Sequence, residues 1–354
     1  MNLTDLKKVL LANNGKSTIY VQGPPGCGKS SVIQQVHDEL DMNFFADVRL
    51  GTRDNAEVKG IQIPDVESRC TIATLPDYFP QDEDAHGIIL LDEFDHATPA
   101  TQSAAYQLIL DRKIGNFKVP DNVWVMMASN SKIDGGVHFK VPRPIKNRVI
   151  QISAKADVTE WLDYALEANI NTGITSFIRA NSEYLYYENP TDANMNNSLG
   201  AFATPRSWFT SDGVLDNFNI EGMDEYIIEE VLIGTIGYSA TKKFLNFLTT
   251  VESSLDLDEI LKGKLSSIKS DDLGNINAMY YLLGELESRI VNQDGIALKT
   301  TNTGLLEFIN MIDDKALKTV FWRSVQNRAK RVLEPLKKEV DESKLRMQIL
   351  KAIN

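Results

Sequence analysis

The sequence is poor in several residue types, and each shortage excludes a class of protein. It has two cysteines, Cys27 and Cys70, in 354 residues. No disulfide framework beyond one bridge is therefore available, and a reducing, cytoplasmic setting is expected. Glycine and proline number 21 and 12, too few for a collagen-like or linker-dominated chain. The four histidines, with no Cys/His cluster along the chain, argue against a zinc site. Long apolar runs are missing too: runs such as residues 88–91 and 123–128 fall far short of the roughly 20 residues of a membrane span. Met1-Asn2-Leu3-Thr4-Asp5-Leu6-Lys7-Lys8 lacks the charged-then-apolar layout of a signal peptide. Basic residues are outnumbered, 37 against 49 acidic, for a net charge of −12. Such a chain is a poor general ligand for polyanions, whose affinity comes largely from Lys and Arg on phosphates.

What is present is an ordinary soluble globular composition, 43% hydrophobic and 24% charged. The length fits two or three domains of about 100–200 residues each. The charge is uneven. Residues 315–354 hold 11 basic and 4 acidic side chains, a net of +7, so the remainder of the chain carries −19.

Up to about residue 155 the pattern alternates between strand and helix. Ser17-Thr18-Ile19-Tyr20-Val21 is a β-rich run ending in a Gly/Pro turn, and a helix over 29–40 follows. Further strands are expected at 47–50, 88–91, 122–127 and 149–152. Continuous apolar runs such as Ile88-Ile89-Leu90-Leu91 suit strands buried on both faces, and helices between them imply a parallel α/β sheet. Past residue 152 the pattern turns helical. Asp157, three before Glu160, reads as a capping-box start. Residues 188–204 read as a loop, and Thr204-Pro205 opens a helix with Thr at the N-cap and Pro at N1.

Gly23-Pro24-Pro25-Gly26-Cys27-Gly28-Lys29-Ser30 matches G-x-x-x-x-G-K-[ST], between a strand and a helix. Glycines in such a loop let backbone N–H groups turn inward around a β-phosphate. Lys29 reaches the β- and γ-phosphates, and Ser30 offers a hydroxyl to Mg²⁺. The helix start, with Ser31 in its first turn, presents its positive dipole end to the anion. Cys27 reads as a small filler side chain. Downstream, the apolar run 88–91 ends in Asp92-Glu93. This is a Walker B arrangement: Asp92 would hold Mg²⁺ and Glu93 would act as general base toward water. Alternation along a strand would send the two acids to opposite faces. Asp95 reads as a helix cap or a supporting residue.

With their surroundings these motifs resemble the MoxR-like branch of the AAA+ ATPases, including small bacterial and phage members, over about residues 5–250. The carrying segments are Asp54-Asn55-Ala56-Glu57-Val58-Lys59-Gly60, Leu91-Asp92-Glu93-Phe94-Asp95-His96-Ala97 with Gln102 and Ala105, Asp111-Arg112-Lys113-Ile114-Gly115 before Val119-Pro120, Met127-Ala128-Ser129-Asn130, Pro144-Ile145-Lys146-Asn147-Arg148, and Thr204-Pro205-Arg206-Ser207-Trp208. The resemblance implies an AAA+ P-loop core over 1–155, a helical lid over 156–252 and a helical region with a basic tail over 253–354. It implies Asn130 as sensor 1, Arg206 as sensor 2 and Arg148 as an arginine finger, with Arg143 as the rival. A finger acting in trans implies a homo-oligomeric ring, in this family usually a hexamer. ATP and Mg²⁺ are the implied ligands, and a protein client, in this branch often one with a von Willebrand factor A domain, is the implied partner.

The resemblance also makes 58–80 a helix-2 insertion, in which Tyr78 and Phe79 either grip a partner or, more in keeping with aromatics generally, pack the insertion down. Residues 112–121 become a pre-sensor hairpin or an ordinary loop. The basic tail has three readings: docking on the acidic body or a neighbouring subunit, a solvated face, or contact with nucleic acid or an acidic partner. Two alternatives to a protein remodeller follow, a nucleic-acid motor or loader and a slow nucleotide-switched scaffold.

Overall fold

The chain folds into two compact units, Met1–Asp157 and Val158–Asn354. The computed structural model describes residues 1–67, 69–82, 84–130, 138–188, 200–218, 224–251, 257–261, 264, 275–292, 308, 310–312, 314, 315 and 317–320. Most of the basic tail, and most of the loop expected at 188–204, lie outside the described residues.

The first unit runs α1 (Leu3–Asn13), β1 (Ile19–Gly23), α2 (Lys29–Glu39), β2 (Phe44–Arg49), α3 (Asn55–Lys59), β3 (Gln62–Asp65), β4 (Cys70–Ala73), β5 (Gly87–Asp92), α4 (Pro99–Ala104), α5 (Tyr106–Asp111), β6 (Lys113–Ile114), β7 (Phe117–Lys118), β8 (Val123–Asn130), α6 (Arg143–Lys146) and β9 (Ile150–Ser153). Five strands form one parallel sheet in the order β2-β5-β8-β1-β9. The chain leaves β1 in the direction of β2 and fills β9 last on the other side. The crevice at the carboxyl end of β1 is thus a topological switch point, where open α/β sheets bind ligands.

The apolar runs are continuous because both sheet faces are covered. Ile88 and Leu90 of β5 and Trp124 and Met126 of β8 pack with Leu6 and Leu10 of α1 and Val32, Ile33 and Val36 of α2. Their neighbours Ile89, Leu91, Val123, Val125 and Met127 point the other way, into a core with Phe94, Leu108, Ile109 and Ile114. Side-chain period two along each strand divides one apolar segment between two cores.

Two antiparallel hairpins stand outside the sheet, β3–β4 and β6–β7. The second realises the hairpin reading of 112–121. Its entry is held by Arg112, which has φ +52° and donates to the carbonyls of Pro120 at 2.9 Å and Val123 at 2.5 Å. The first lies within the insertion, and Ile61, Ile63, Val66 and Ile72 are exposed there. Tyr78 and Phe79 are not gripping residues. Both are buried in the core, and the Tyr78 hydroxyl donates to the Val58 carbonyl at 2.5 Å. Burial raises the Tyr78 phenol well above its ordinary value.

The second unit is helical: α7 (Val158–Glu167), α8 (Thr172–Ala180), α9 (Pro205–Phe218), α10 (Glu225–Ile236), α11 (Tyr238–Val251), α12 (Leu257–Leu261) and α13 (Ile276–Asn292). Thr204 caps α9 as expected, its Oγ1 accepting from the Ser207 N–H at 3.0 Å. Phe177 sits at the centre of an aromatic core with Trp208, Phe244 and Phe247, at ring distances of 5.5, 5.3 and 5.5 Å. The Trp208 indole N–H is satisfied by the Tyr184 carbonyl at 2.8 Å. Among the described residues, no helix is long and apolar enough to cross a membrane.

An ion pair among the described residues of this unit is buried. Arg179 of α8 makes a two-pronged bond to Glu287 of α13, at 2.8 and 2.6 Å, and the Glu287 side chain is 1% exposed. Removing one partner of a buried pair strands the other and costs about 3–5 kcal/mol. Arg179→Ala should therefore lower the stability of this unit by an amount of that order, read as a shifted urea midpoint followed through Trp208 fluorescence. An unchanged midpoint would show that the pair adds nothing.

Candidate nucleotide site

The site begins where β1 stops. After Gly23 the backbone turns through Gly26 at φ +68° and Gly28 at φ +100°, conformations that L side chains rarely adopt. Space enforces the choice as well: a Cβ on Gly23 would stand 2.5 Å from the Ala154 carbonyl oxygen, and one on Gly28 would stand 2.8 Å from Leu3. Pro24 and Pro25 are half-buried. Cys27 is 2% exposed and fills space, as its size suggested. Helix α2 starts at Lys29, so Lys29, Ser30 and Ser31 form its first turn, with Ser31 exposed.

Lys29 is 6% exposed, unusual for a lysine. Its ammonium donates to the carbonyls of Gly23 and Pro24 and to Asn130 Oδ1, each at 2.9 Å. Asn130 is in reach because the β1–β8 register pairs it with Gly23. The Asn130 amide and the glycine-rich loop are thus neighbours across two parallel strands.

Ser30 Oγ donates to Asp92 Oδ2 at 2.9 Å, and Asp92 Oδ1 accepts from the Glu93 N–H at 2.8 Å. The direction of Glu93 has a different cause from the strand alternation expected for it. Strand β5 ends at Asp92, and Glu93 takes a left-handed conformation, φ +54°, in the turn beyond. Non-glycine residues adopt that region at a cost, and such strain gathers at functional sites. The turn aims the Glu93 carboxylate toward Gly51, where an added Cβ would lie 3.1 Å from Glu93 Oε2.

Asp47 joins this group without having stood out in the sequence. It lies on β2, two residues before Arg49, which is paired with Asp92 in the β2–β5 register. Burial first, then the charge of Asp92, raises its carboxyl above the ordinary carboxylate value, and Glu93 adds to the effect. Asp47, Asp92 and Glu93 therefore share a negative field. With the Ser30 hydroxyl they offer hard oxygen donors, and this chemistry fits Mg²⁺.

Asp95 is not a helix cap. Helix α4 is capped by Thr98, whose Oγ1 accepts from the Thr101 N–H at 3.3 Å. Asp95 is buried and faces His138. Arg143 opens α6, Arg148 follows its end, and both are exposed. Arg206 is exposed in the first turn of α9, in the second unit.

Residues 19–149 match the model of the AAA family, described as the ATPase family associated with various cellular activities. These residues, a little over a third of the chain, are similar to an AAA domain. Lon protease 2 of Hydrogenovibrio crunogenus is 33% identical over 99 residues, 27% of this chain but only 11% of that protein. Among solved structures, NtrX from Brucella abortus covers 92% of this chain and 67% of its own at 13% identity and a TM-score of 0.40. A RuvB variant from Thermotoga maritima covers 90% and 93% at 15% identity and a TM-score of 0.35. The domain match rests on the family model and on the sheet order and loop geometry above.

Lys29→Ala removes the charged donor at the centre of this cradle. Charge-assisted hydrogen bonds are worth about 1.5–3 kcal/mol, or roughly 10–100-fold in affinity. Titration with a fluorescent ATP analogue should show a loss of at least that size in the variant, and equal affinity would reject the loop as a phosphate site.

Proposed function

We propose that the chain is a ring-forming, Mg²⁺-dependent ATPase that remodels or assembles a partner protein. The observation that carries the reading is the pair of contacts Lys29–Asn130 and Ser30–Asp92, which gather four separate motif positions at one end of the sheet. In this reading the loop from Gly23 to Ser31 cradles the phosphates through backbone N–H groups and the Lys29 ammonium. Ser30 and Asp92 would hold Mg²⁺, which would supply positive charge to offset that of the phosphates. Glu93 takes the proton of water as its oxygen attacks the γ-phosphorus and the bond to the bridging oxygen breaks, giving ADP and phosphate. Asn130 orients that water.

Two arginines complete the proposal. Arg206 reaches the γ-phosphate of its own subunit and couples nucleotide state to lid angle. Arg148, or Arg143 in its place, stabilises charge on the transferring phosphoryl group in a neighbouring subunit. Their exposure suits groups that act on something beyond their immediate surroundings. A hexameric ring, a MoxR-type client relationship and a partner with a von Willebrand factor A domain belong to the same reading and rest on the sequence resemblance.

Steady-state phosphate release tests the enzyme. Loss of a general base costs about 10²–10⁴-fold, so Glu93→Gln should fall by that much while still binding nucleotide. Wild-type turnover equal to that of Glu93→Gln would sink the proposal. Subunit mixing tests the finger: adding Arg148→Ala subunits to wild type should depress activity beyond simple dilution. A linear decline, with the steeper loss appearing for Arg143→Ala, would move the role to Arg143.

A further inference from the structure

Three side chains beyond the Walker B acids form a cluster that the nucleotide site does not use. Asp95 and His96 lie in the turn after β5, and His138 lies 42 positions beyond His96, in the segment leading to α6. One donor atom from each of the three residues lies within 4.8 Å of the other two. His138 Nδ1 and Asp95 Oδ2 are 2.9 Å apart, and the two imidazole rings are 4.7 Å apart between centroids. The backbone joins the same two segments, since the Phe139 N–H donates to the Asp95 carbonyl at 2.7 Å.

The polar atoms of this cluster are incompletely satisfied. Asp95 is 5% exposed. Its Oδ1, together with Nε2 of His96 and Nε2 of His138, is buried with no hydrogen-bond partner among the described residues. A buried carboxylate is costly unless its charge and both oxygens are answered. Three residues that each bring a donor atom within 4.8 Å of the other two, and that each carry a buried polar atom with no partner among the described residues, have the chemistry of a cation site. Two imidazoles and one carboxylate form a borderline-soft donor set that suits zinc, with a fourth position for water. Mg²⁺, which prefers oxygen, suits the separate pair Ser30 and Asp92.

We propose that Asp95, His96 and His138 bind one zinc ion, in a site distinct from the Mg²⁺ position. The expectation against zinc rested on the lack of a local Cys/His cluster. The fold supplies the third ligand from a distant segment. At zinc–ligand distances of about 2.0–2.1 Å, tetrahedral donors stand roughly 3.4 Å apart, so an edge of 4.8 Å contracts by roughly 1.4 Å on binding. The ion ties the turn that carries Glu93 to the strand-to-helix segment that ends in Arg143. Its effect is to fix the position of that turn; it takes no part in phosphoryl transfer.

Untagged full-length chain, stripped with a chelator, is titrated with Co²⁺, whose tetrahedral complexes absorb strongly in the visible. One Co²⁺ per chain, displaced by Zn²⁺, is expected. His96→Gln and His138→Gln should each bind at least about 100-fold more weakly, while Asp92→Asn binds as wild type does. Retained nucleotide binding shows that a variant is folded. Zinc-edge X-ray absorption of the zinc-loaded wild type needs no variant and should report two imidazoles with only nitrogen and oxygen neighbours. The proposal is overturned by stoichiometric binding that survives His138→Gln, by binding lost in Asp92→Asn instead, by a zinc shell with fewer than two imidazoles, or by no tight binding at all. In that last case the cluster is a hydrogen-bonded support for the turn.

Discussion

The buried ammonium of Lys29 is the interaction on which the candidate site depends. Three neutral oxygens hold it, two from the loop itself and one from Asn130 on the next strand. Burying a charge is costly, and hydrogen bonds of this length offset the loss of water. The arrangement requires the loop to be tight, and hence requires Gly26 and Gly28 to accept positive φ. It also requires β1 and β8 to be adjacent and in the register that sets Gly23 against Asn130. The local turn and the long-range strand pairing thus meet at one side chain.

Rigidity at this point comes from the sheet beneath. Strands β1, β5 and β8 are buried on both faces, with Ile19, Val21, Ile88, Leu90, Trp124 and Met126 on one side and Tyr20, Ile89, Leu91, Val123, Val125 and Met127 on the other. A sheet held from both faces fixes where its strands end, and these three ends carry Gly23, Asp92 and Asn130. Glu93 departs from this regularity. It lies just past the strand in a left-handed turn, and the proposed zinc cluster begins two residues later.

Much of the first unit was legible in the sequence. The five sheet strands and helix α2, and in the second unit the Thr204 cap, are legible because each has a local cause: apolar period, a glycine loop, a hydroxyl before proline. Lys29, Ser30, Asp92, Glu93 and Asn130 stand out as candidates in the sequence because their motifs are contiguous, and the structure places them at or next to strand ends. The exceptions have a common origin. Tyr78 and Phe79 look the same in sequence whether they grip a partner or fill a core, and the packing with Val58 decides for the core. Asp47 lies on an edge strand without a motif, and its importance arises from the charges of Asp92 and Glu93 beside it. Asp95 has the spacing of a cap, yet Thr98 does the capping.

The sequence by itself therefore determined the elements and the glycine-rich turn that leads into Lys29, because hydrophobic period, turn residues and short motifs act over a few positions. Tertiary structure decided which distant groups meet. It set Asn130 against Lys29, Ser30 against Asp92, Arg179 against Glu287, and His138 against Asp95 across 43 positions. Strand register and helix packing make those choices, and neither leaves a local mark on the chain. The four histidines that argued against a metal when read in a line argue for one when two of them converge on a buried carboxylate.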